Sequence, residues 1–255
     1  MLLCVDIGNT NVVLGLWDKR GWMAHWRVRT IRDQMPDEYN ILHKALLNDG
    51  GFQWRDVTHV AMASVVPPLT PVFKELFSRY LGAEPLSVGP GIRTGLRIRI
   101  DNPVELGADL VADAVAAYQR FHHACVIVDF GTATTFSAVS EEGDFLGVAI
   151  APGLGVAADA LVSHTAQLLR VALVPPATAI GKNTVHSMQA GLVFGYVGLV
   201  EGMIRRIRAE LGGRAEVVAT GGLSAVLAPL TQDIGHVDPW LTLEGLRLIS
   251  DMNRV

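Results

Sequence analysis

The sequence has little charge and no large excess of either sign. Of its 255 residues, 18% are charged, the net charge is −4 and the pI is near 6.0. A chain of this kind lacks the basic surface that a nucleic-acid backbone requires, so we expect no nucleic-acid partner. It also lacks an apolar run of membrane-spanning length and a basic segment before its apolar start. We therefore predict a cytoplasmic protein with no membrane partner.

Cysteine is scarce as well. The chain has two, Cys4 and Cys125, which agrees with a reducing compartment. Each lies in an apolar segment, so we predict two small buried side chains. A redox pair is the alternative.

Hydrophobic residues are abundant, and their order repeats. They make up 50% of the chain, enough for the core of one large or two medium domains. Residues 1–30 are typical of three strands separated by turns, and residues 124–153 repeat that order. Strands and helices alternate after each set, which indicates a duplicated α/β fold. We predict two halves, residues 1–118 and 119–255, that share an interface and close on a cleft.

Local patterns predict several elements between and after the repeats. Residues 94–101, "TGLRIRID", alternate as a half-exposed strand does. Helical spacing of apolar residues predicts helices at 37–48, 105–121, 156–168 and 183–211.

Two short phrases end the first strand of each repeat. "DIGNTN" occupies residues 6–11, and "DFGTATT" occupies residues 129–135. In each phrase a glycine, Gly8 or Gly131, allows a tight turn whose backbone N–H groups can approach a ligand. Backbone and hydroxyl donors of this kind hold phosphate oxygens, and a carboxylate can hold a hydrated Mg²⁺. We predict that the two turns bind one polyphosphate.

A third glycine motif, the pair Gly221-Gly222, ends a strand and begins a helix. It would let a base or ribose lie flat against the backbone. Each phrase alone is also typical of an ordinary hairpin. Two copies half a chain apart, followed by "TGG", favour nucleotide binding.

The motifs, taken in order, resemble those of a known family. They are "DIGNTN" at 6–11, "TGLRIRIDNPVELGAD" at 94–109, "DFGTATTF" at 129–136, "PGL" at 152–154, "GKNTVHSMQAG" at 181–191 and "TGG" at 220–222. Together they resemble type III pantothenate kinases over nearly the whole chain. That family belongs to the superfamily of acetate kinase, sugar kinases, heat-shock chaperone ATPases and actin. The resemblance implies a duplicated ribonuclease-H-like, actin-like ATPase fold whose two halves surround ATP.

The resemblance also implies an activity and a set of residues. The activity is transfer of the ATP γ-phosphoryl group to the primary hydroxyl of pantothenate, the first step towards coenzyme A. Asp109 would be the general base, and Gly107, Ala108, Leu110 and Thr184 would line the substrate. Asp6, Gly8, Asn9, Thr10, Asn11, Val12, Val13 and Thr132 would contact ATP. Asp6 would lie near Mg²⁺, Asp129 would hold a monovalent cation such as K⁺ or NH₄⁺, and the protein would be a homodimer.

Some positions depart from the family pattern. Leu110 replaces an arginine that would meet the anionic substrate, and Ser137 replaces an aspartate. If the helix begins by residue 105, Glu105, Asp109 and Asp113 share one face, and their repulsion raises the pKa of Asp109. Arg93, Arg97 or Arg99 could replace the missing cation. The departures leave two alternatives: a nucleotide-binding homologue of weak activity with a regulatory role, and a kinase for a different small acceptor.

Overall fold

The structure, a computed structural model, describes residues 1–254 and contains two mixed β-sheets flanked by helices. The strands are β1 (Leu2–Ile7), β2 (Asn11–Asp18), β3 (Gly21–Arg29), β4 (His59–Ser64), β5 (Leu86–Ser87), β6 (Arg97–Ile98), β7 (Cys125–Phe130), β8 (Ala133–Val139), β9 (Asp144–Pro152), β10 (Glu216–Thr220) and β11 (His236–Val237). The helices are α1 (Pro36–Asp49), α2 (Leu69–Leu81), α3 (Ala108–Phe121), α4 (Leu154–Ser163), α5 (Thr184–Gln189), α6 (Gly195–Glu210), α7 (Ser224–Leu227) and α8 (Leu241–Asn253).

The described residues form two compact units. Unit 1 contains Met1–Leu96, Asp101–Ala116 and the stretch that begins at Leu241. Unit 2 contains Arg97–Ile100 and Ala117–Trp240. The last helix, α8, thus belongs to unit 1, whereas the sequence assigned all of 119–255 to the second half. The assignment of an acceptor side and an adenosine side to the halves stays a prediction.

The two sheets repeat one topology. The strand order is β3-β2-β1-β4-β5 in unit 1 and β9-β8-β7-β10-β11 in unit 2, with β6 added beside β9. In both sheets the first three strands are antiparallel and the next two run parallel to the first. The pairing of the second strand with the third carries an irregularity at matching places, after Leu16 in β2 and after Ala138 in β8. The predicted duplicated ribonuclease-H-like fold is confirmed.

The core of unit 1 follows from the alternation of side chains along β1. Leu3, Val5 and Ile7 point into a cluster that is completed by α1 and α2. Cys4 lies on the opposite face, and its cross-strand partner Gly15 leaves room for α8. The helix α8 also packs closely on α3, because a side chain at Gly245 would overlap the Ala112 carbonyl.

The core of unit 2 is built on one long helical run. Residues Thr184–Glu210 comprise α5, a π-helical turn at Ala190–Phe194 and α6. By length and composition this run could cross a membrane, but 44% of its most apolar window is buried within the structure. Its buried side chains, among them Val193 and Ile204, join the β7 residues in the unit 2 core. The run therefore packs one apolar face into the core, as an amphipathic helix does.

Three predicted elements are shorter than expected. The strand expected over 94–101 is reduced to β6, and Gly91 and Gly95 on either side of Arg93 adopt positive φ. The helix expected from residue 105 begins at Ala108, because Pro103–Glu105 forms a separate 3₁₀ turn. The helix expected over 156–168 ends at Ser163.

Both cysteines are buried and free. Burial is the largest cause that raises the pKa of each thiol, to about 12 for Cys125. Thiols in this state are unreactive, which agrees with the predicted structural role.

Candidate functional site

The first predicted phosphate turn joins β1 to β2 in unit 1. Asp6 stands near the end of β1, and Gly8, Asn9 and Thr10 form the turn. The turn is closed by the backbone N–H of Gly8, which donates to the Asn11 carbonyl oxygen at 3.0 Å. Asn9 and Thr10 are exposed, so an anionic ligand can reach their polar groups.

Residues after β3 hold this turn from outside. The Thr30 hydroxyl donates to the Gly8 carbonyl oxygen at 2.6 Å, and the Thr30 N–H donates to the Thr10 carbonyl oxygen at 3.0 Å. The Arg32 guanidinium donates to the Asn9 side-chain oxygen at 3.0 Å. The sequence assigned no role to Thr30 or Arg32. The predicted order of strands could have indicated both residues, because an antiparallel β3 brings the chain back beside the turn between β1 and β2.

The two valines at the end of the predicted ATP segment differ in exposure. Val12 is wholly buried in the unit 1 core, so its side chain cannot meet a ligand. Val13 is half-buried and pairs with Asp6 across the strands. Their predicted contacts with ATP stay predictions. For Val12, such a contact would have to be made by backbone atoms.

The second predicted turn joins β7 to β8 in unit 2, at Gly131 and Thr132. It is held by the backbone at the start of α4, because the Gly153 N–H donates to the Thr132 carbonyl oxygen at 3.1 Å. A side chain at Gly153 would lie 2.5 Å from the Gly131 carbonyl oxygen. The glycine of "PGL" is therefore needed for close packing on this turn, a role that the sequence did not reveal.

The "TGG" segment also packs on the end of β7. Gly221 has a φ of +87°, and a side chain there would overlap an oxygen of Asp129 and lie 2.7 Å from the Phe130 backbone nitrogen. Its neighbour Gly222 is exposed. The glycine pair thus brings loop backbone against Asp129, next to the second turn.

A buried tyrosine completes the support of the second turn. The Tyr196 hydroxyl lies 2.7 Å from the Thr134 hydroxyl and 2.7 Å from the Pro152 carbonyl oxygen. Thr134 belongs to the turn motif, and Pro152 precedes Gly153. Tyr196 is the second residue of α6, which begins directly after the π-helical turn Ala190–Phe194. The extra residue in that turn changes which face of the helical run Tyr196 occupies.

The predicted acceptor residues lie where α3 begins, in unit 1. Asp109 is in the first helical turn, and its Oδ1 accepts from the Leu110 N–H at 2.8 Å. A side chain at Gly107 would lie 2.5 Å from that same oxygen, so glycine leaves room for the carboxylate. Ala108 is partly exposed, whereas Leu110 is buried and contributes only its backbone to the polar site.

The pKa of Asp109 is raised, as the sequence predicted, but for a different reason. Burial is the largest cause, and hydrogen bonding to the Leu110 backbone opposes it. Repulsion by Glu105 was the wrong cause, because Glu105 lies outside the helix and accepts from the Asn102 side chain at 2.7 Å. Asp113 is on the helix but buried, at 1% exposure.

The three arginines that could replace the missing cation differ in whether they already form ion pairs. Arg97 and Arg99, in unit 2, both form ion pairs with Asp144. Arg93, in unit 1, is held through its backbone, which exchanges hydrogen bonds with the Asn253 side chain. Within residues 1–254 its guanidinium forms no ion pair.

Thr184 is the exposed first residue of α5 in unit 2. Asn183 caps this helix, accepting from the His186 N–H at 2.9 Å. A side chain at Gly181 would lie 2.5 Å from the Ser187 Cα, so glycine is needed where the loop folds against the helix.

The residues near Asp129 suit a bound cation. Thr135 pairs with Asp129 across the strands, and Ser137 lies on the same face of β8. The hydroxyls of Thr135 and Ser137 are buried without a hydrogen-bond partner among residues 1–254. A carboxylate beside neutral oxygens is a donor set that hard cations accept.

No group of three or more His, Cys, Asp or Glu side chains suited to a metal occurs within the part of the chain described. Mg²⁺ bound beside a nucleotide does not require such a group. The ion keeps several waters and takes one or two carboxylates plus phosphate oxygens. Asp6 at the first turn fits that requirement.

Solved structures share the fold. A Campylobacter jejuni protein described as a conserved Baf family transcriptional activator matches with a TM-score of 0.63 at 20% identity, over 98% of each chain. The inorganic polyphosphate/ATP-glucomannokinase of Arthrobacter sp. strain KM matches with a TM-score of 0.50 at 14% identity, over 99% of each chain. At such identities the likeness concerns the fold alone.

Sequence comparison is more specific. The family model for type III pantothenate kinase matches residues 2–206. Type III pantothenate kinase of Moorella thermoacetica is 49% identical over 253 residues, 99% of this chain and 100% of the relative. That of Roseiflexus sp. (strain RS-1) is 49% identical over 254 residues, the full length of both. With both turns, the α3 acid and the "TGG" loop in the predicted order, the chain belongs to the type III pantothenate kinase family.

Proposed function

We propose that this chain phosphorylates pantothenate with ATP, giving 4'-phosphopantothenate and ADP, the first step of coenzyme A biosynthesis. The observation that carries the proposal is 49% identity to a type III pantothenate kinase over 99% of this chain. The fold does not carry it, because one fold can serve many acceptors.

ATP is assigned to both turns. At the first turn the phosphate contacts are Gly8, Asn9, Thr10 and Asn11, with the backbones of Val12 and Val13. At the second they are Gly131 and Thr132, and Gly221 and Gly222 receive the adenosine. Donors at a glycine turn suit phosphate oxygens. Asp6 would hold Mg²⁺, which when bound offsets phosphate charge.

Asp109 is assigned as the general base. Its partly buried carboxylate accepts the proton of the pantothenate primary hydroxyl while that oxygen bonds to the γ-phosphorus. The bond from the γ-phosphorus to the β,γ-bridging oxygen breaks, and ADP leaves. The transition state is loose, so the carboxylate mainly orients the alcohol. The raised pKa of Asp109 predicts activity that declines on acidification earlier than with an ordinary carboxylate.

The rest of the acceptor site is assigned to Gly107, Ala108, the backbone of Leu110 and Thr184. Leu110 cannot neutralise the pantothenate carboxylate, and its side chain is buried. Arg93 is the better supported replacement, because Arg97 and Arg99 are already paired with Asp144.

The remaining assignments concern the cation, the assembly and the location. Asp129 would hold K⁺ or NH₄⁺ beside the orphaned hydroxyls of Thr135 and Ser137. A homodimer is supported by large apolar side chains exposed in unit 2. Among them are Leu161, Leu169, Val174, Ile180, Val185 and Leu199. We assign the protein to the cytoplasm, where its two thiols stay reduced.

The test is a coupled ADP-release assay with ATP, Mg²⁺, K⁺ and pantothenate. Asp109→Asn should lower kcat by about 10²- to 10⁴-fold while binding of a non-hydrolysable ATP analogue stays unchanged. The exposed acid Asp101 offers a matched control, because Asp101→Asn removes the same charge outside the helix.

Each outcome separates the candidates. ATP-analogue binding without pantothenate-dependent ADP release would contradict the proposal and favour the weak homologue. Release that requires another alcohol in an acceptor screen would favour the kinase of different specificity.

A further inference from the structure

Arg32 is an exposed cation placed on the first turn. Its guanidinium donates to the Asn9 side-chain oxygen at 3.0 Å. No carboxylate within residues 1–254 forms an ion pair with it. One hydrogen bond leaves most of the five guanidinium N–H donors available.

An uncompensated guanidinium beside a phosphate turn has a clear chemical use. Its planar donors match two oxygens of one phosphate, and such charge-assisted bonds are stronger than neutral ones. Phosphoryl transfer depends on cations that offset the charge of the transferred group. The first turn otherwise supplies only neutral donors and the Asp6 carboxylate.

The position of Arg32 is fixed from two sides. Thr30, two residues earlier, binds the turn at the carbonyl oxygens of Gly8 and Thr10. The hydroxyl of Tyr39 in α1 accepts from the N–H of the intervening Ile31 at 3.2 Å and donates to the Ile31 carbonyl oxygen at 3.0 Å. The backbone that carries the guanidinium is therefore held beside the turn.

We propose that Arg32 binds a phosphate oxygen of ATP at the first turn. The proposal rests on the proposed function, because it requires that the turn bind ATP. It assigns the guanidinium a direct contact with the nucleotide, beyond its bond to Asn9.

The alternative is that Arg32 only holds Asn9 in place. A double-mutant cycle separates the two roles, using Arg32→Gln, Asn9→Ala and the double variant. The measurement is calorimetric titration with a non-hydrolysable ATP analogue and Mg²⁺. A direct contact predicts that Arg32→Gln weakens binding by about 10- to 100-fold in both backgrounds. Arg32→Lys should weaken it less, because the charge remains.

The control is Arg55→Gln, an equal charge change at an exposed arginine in the 3₁₀ turn Trp54–Asp56. It should leave the affinity unchanged. The main-chain hydrogen bond from Thr58 to Met1 places this segment beside the start of β1, away from the turn. Thermal melts of all variants check folding.

Three results would decide against the proposal. Unchanged affinity in Arg32→Gln would show that the guanidinium does not contact ATP. A loss that disappears in the Asn9→Ala background assigns Arg32 to support of the turn alone. A loss of equal size in Arg55→Gln reduces the effect to net charge. Failure of the unaltered chain to bind the analogue would instead contradict the proposed function.

Discussion

The two turns share a sequence pattern but differ in what holds them. Each follows a strand of six residues with aspartate next to its end, Asp6 in β1 and Asp129 in β7. The first turn is braced by polar side chains, Thr30 and Arg32, and its tip is exposed. The second is packed against backbone at two glycines and is supported by a buried tyrosine.

Because of this difference, we expect substitutions at the first turn to change mainly ligand affinity and substitutions at the second turn to change mainly stability. Side chains at an exposed turn contribute little to the folded state, so their loss should appear mainly in ligand affinity. Close backbone packing leaves no space for an added atom, so changes there should appear first in stability.

The largest effect is expected at Gly221. Gly221→Ala should lower the free energy of unfolding by about 3–5 kcal/mol, because the positive φ is strained and the methyl group overlaps Asp129. Gly8→Ala at the first turn should cost about 1 kcal/mol, since its nearest atom is the Asn11 carbonyl oxygen at 3.1 Å and its φ is not positive. Urea unfolding of both variants gives the comparison. Equal losses would remove the distinction between the turns.

The next effect concerns His43 in the core of unit 1. It is 1% exposed among Tyr39, Trp54 and Phe73, and neither ring nitrogen has a hydrogen-bond partner within the described chain. Burial lowers its pKa from 6.5 to about 4. The unfolded chain therefore takes up the proton first, and stability present above pH 6.5 is lost as the pH falls towards 4. The loss is roughly 3 kcal/mol.

His43→Leu should remove this acid sensitivity, because the proton acceptor is gone. Tryptophan fluorescence during urea unfolding reports unit 1, which holds four of the five tryptophans: Trp17, Trp22, Trp26 and Trp54. The same slope of stability against pH in the variant and the unaltered chain would contradict the assignment.

The smallest effects compare the supports directly. Tyr196→Phe should cost about 2 kcal/mol, because two hydrogen bonds of 2.7 Å at a buried position are lost. Thr30→Val should cost about 1 kcal/mol or less but weaken binding of an ATP analogue more than Tyr196→Phe does. Urea midpoints and calorimetric titrations measure the two quantities. The reverse order in stability would show that the side chains that hold the first turn contribute more to the stability of the fold than Tyr196 does.

Local sequence patterns predicted the elements whose structure depends on residues close together in the chain. The two hairpins and their glycine turns could be read because strand alternation and turn residues lie within a few positions of each other. The start of α3 was misplaced because a proline followed by Val104 and Glu105 suits both the first turn of a helix and the 3₁₀ turn at Pro103–Glu105.

Contacts between distant positions could not be predicted. Tyr196 contacts Thr134 across 62 positions, and Gly153 packs on a turn that lies two strands, β8 and β9, earlier in the chain. Thr30 and Arg32 follow from the pairing of β2 with β3, once its register is known. Leu110 is an example within the site. The sequence showed that leucine replaces arginine there, but it did not show that the leucine side chain is buried.

The central proposal is that ATP contacts the first turn and also contacts the second. Hydrogen exchange measured with and without a non-hydrolysable ATP analogue and Mg²⁺ tests it most directly, in peptides that contain residues 8–11 and 131–133. We predict slower exchange in both peptides on addition of the analogue, and no change in the peptide that contains Arg55. Slowing in only one turn, or in neither while the analogue binds, would contradict the account.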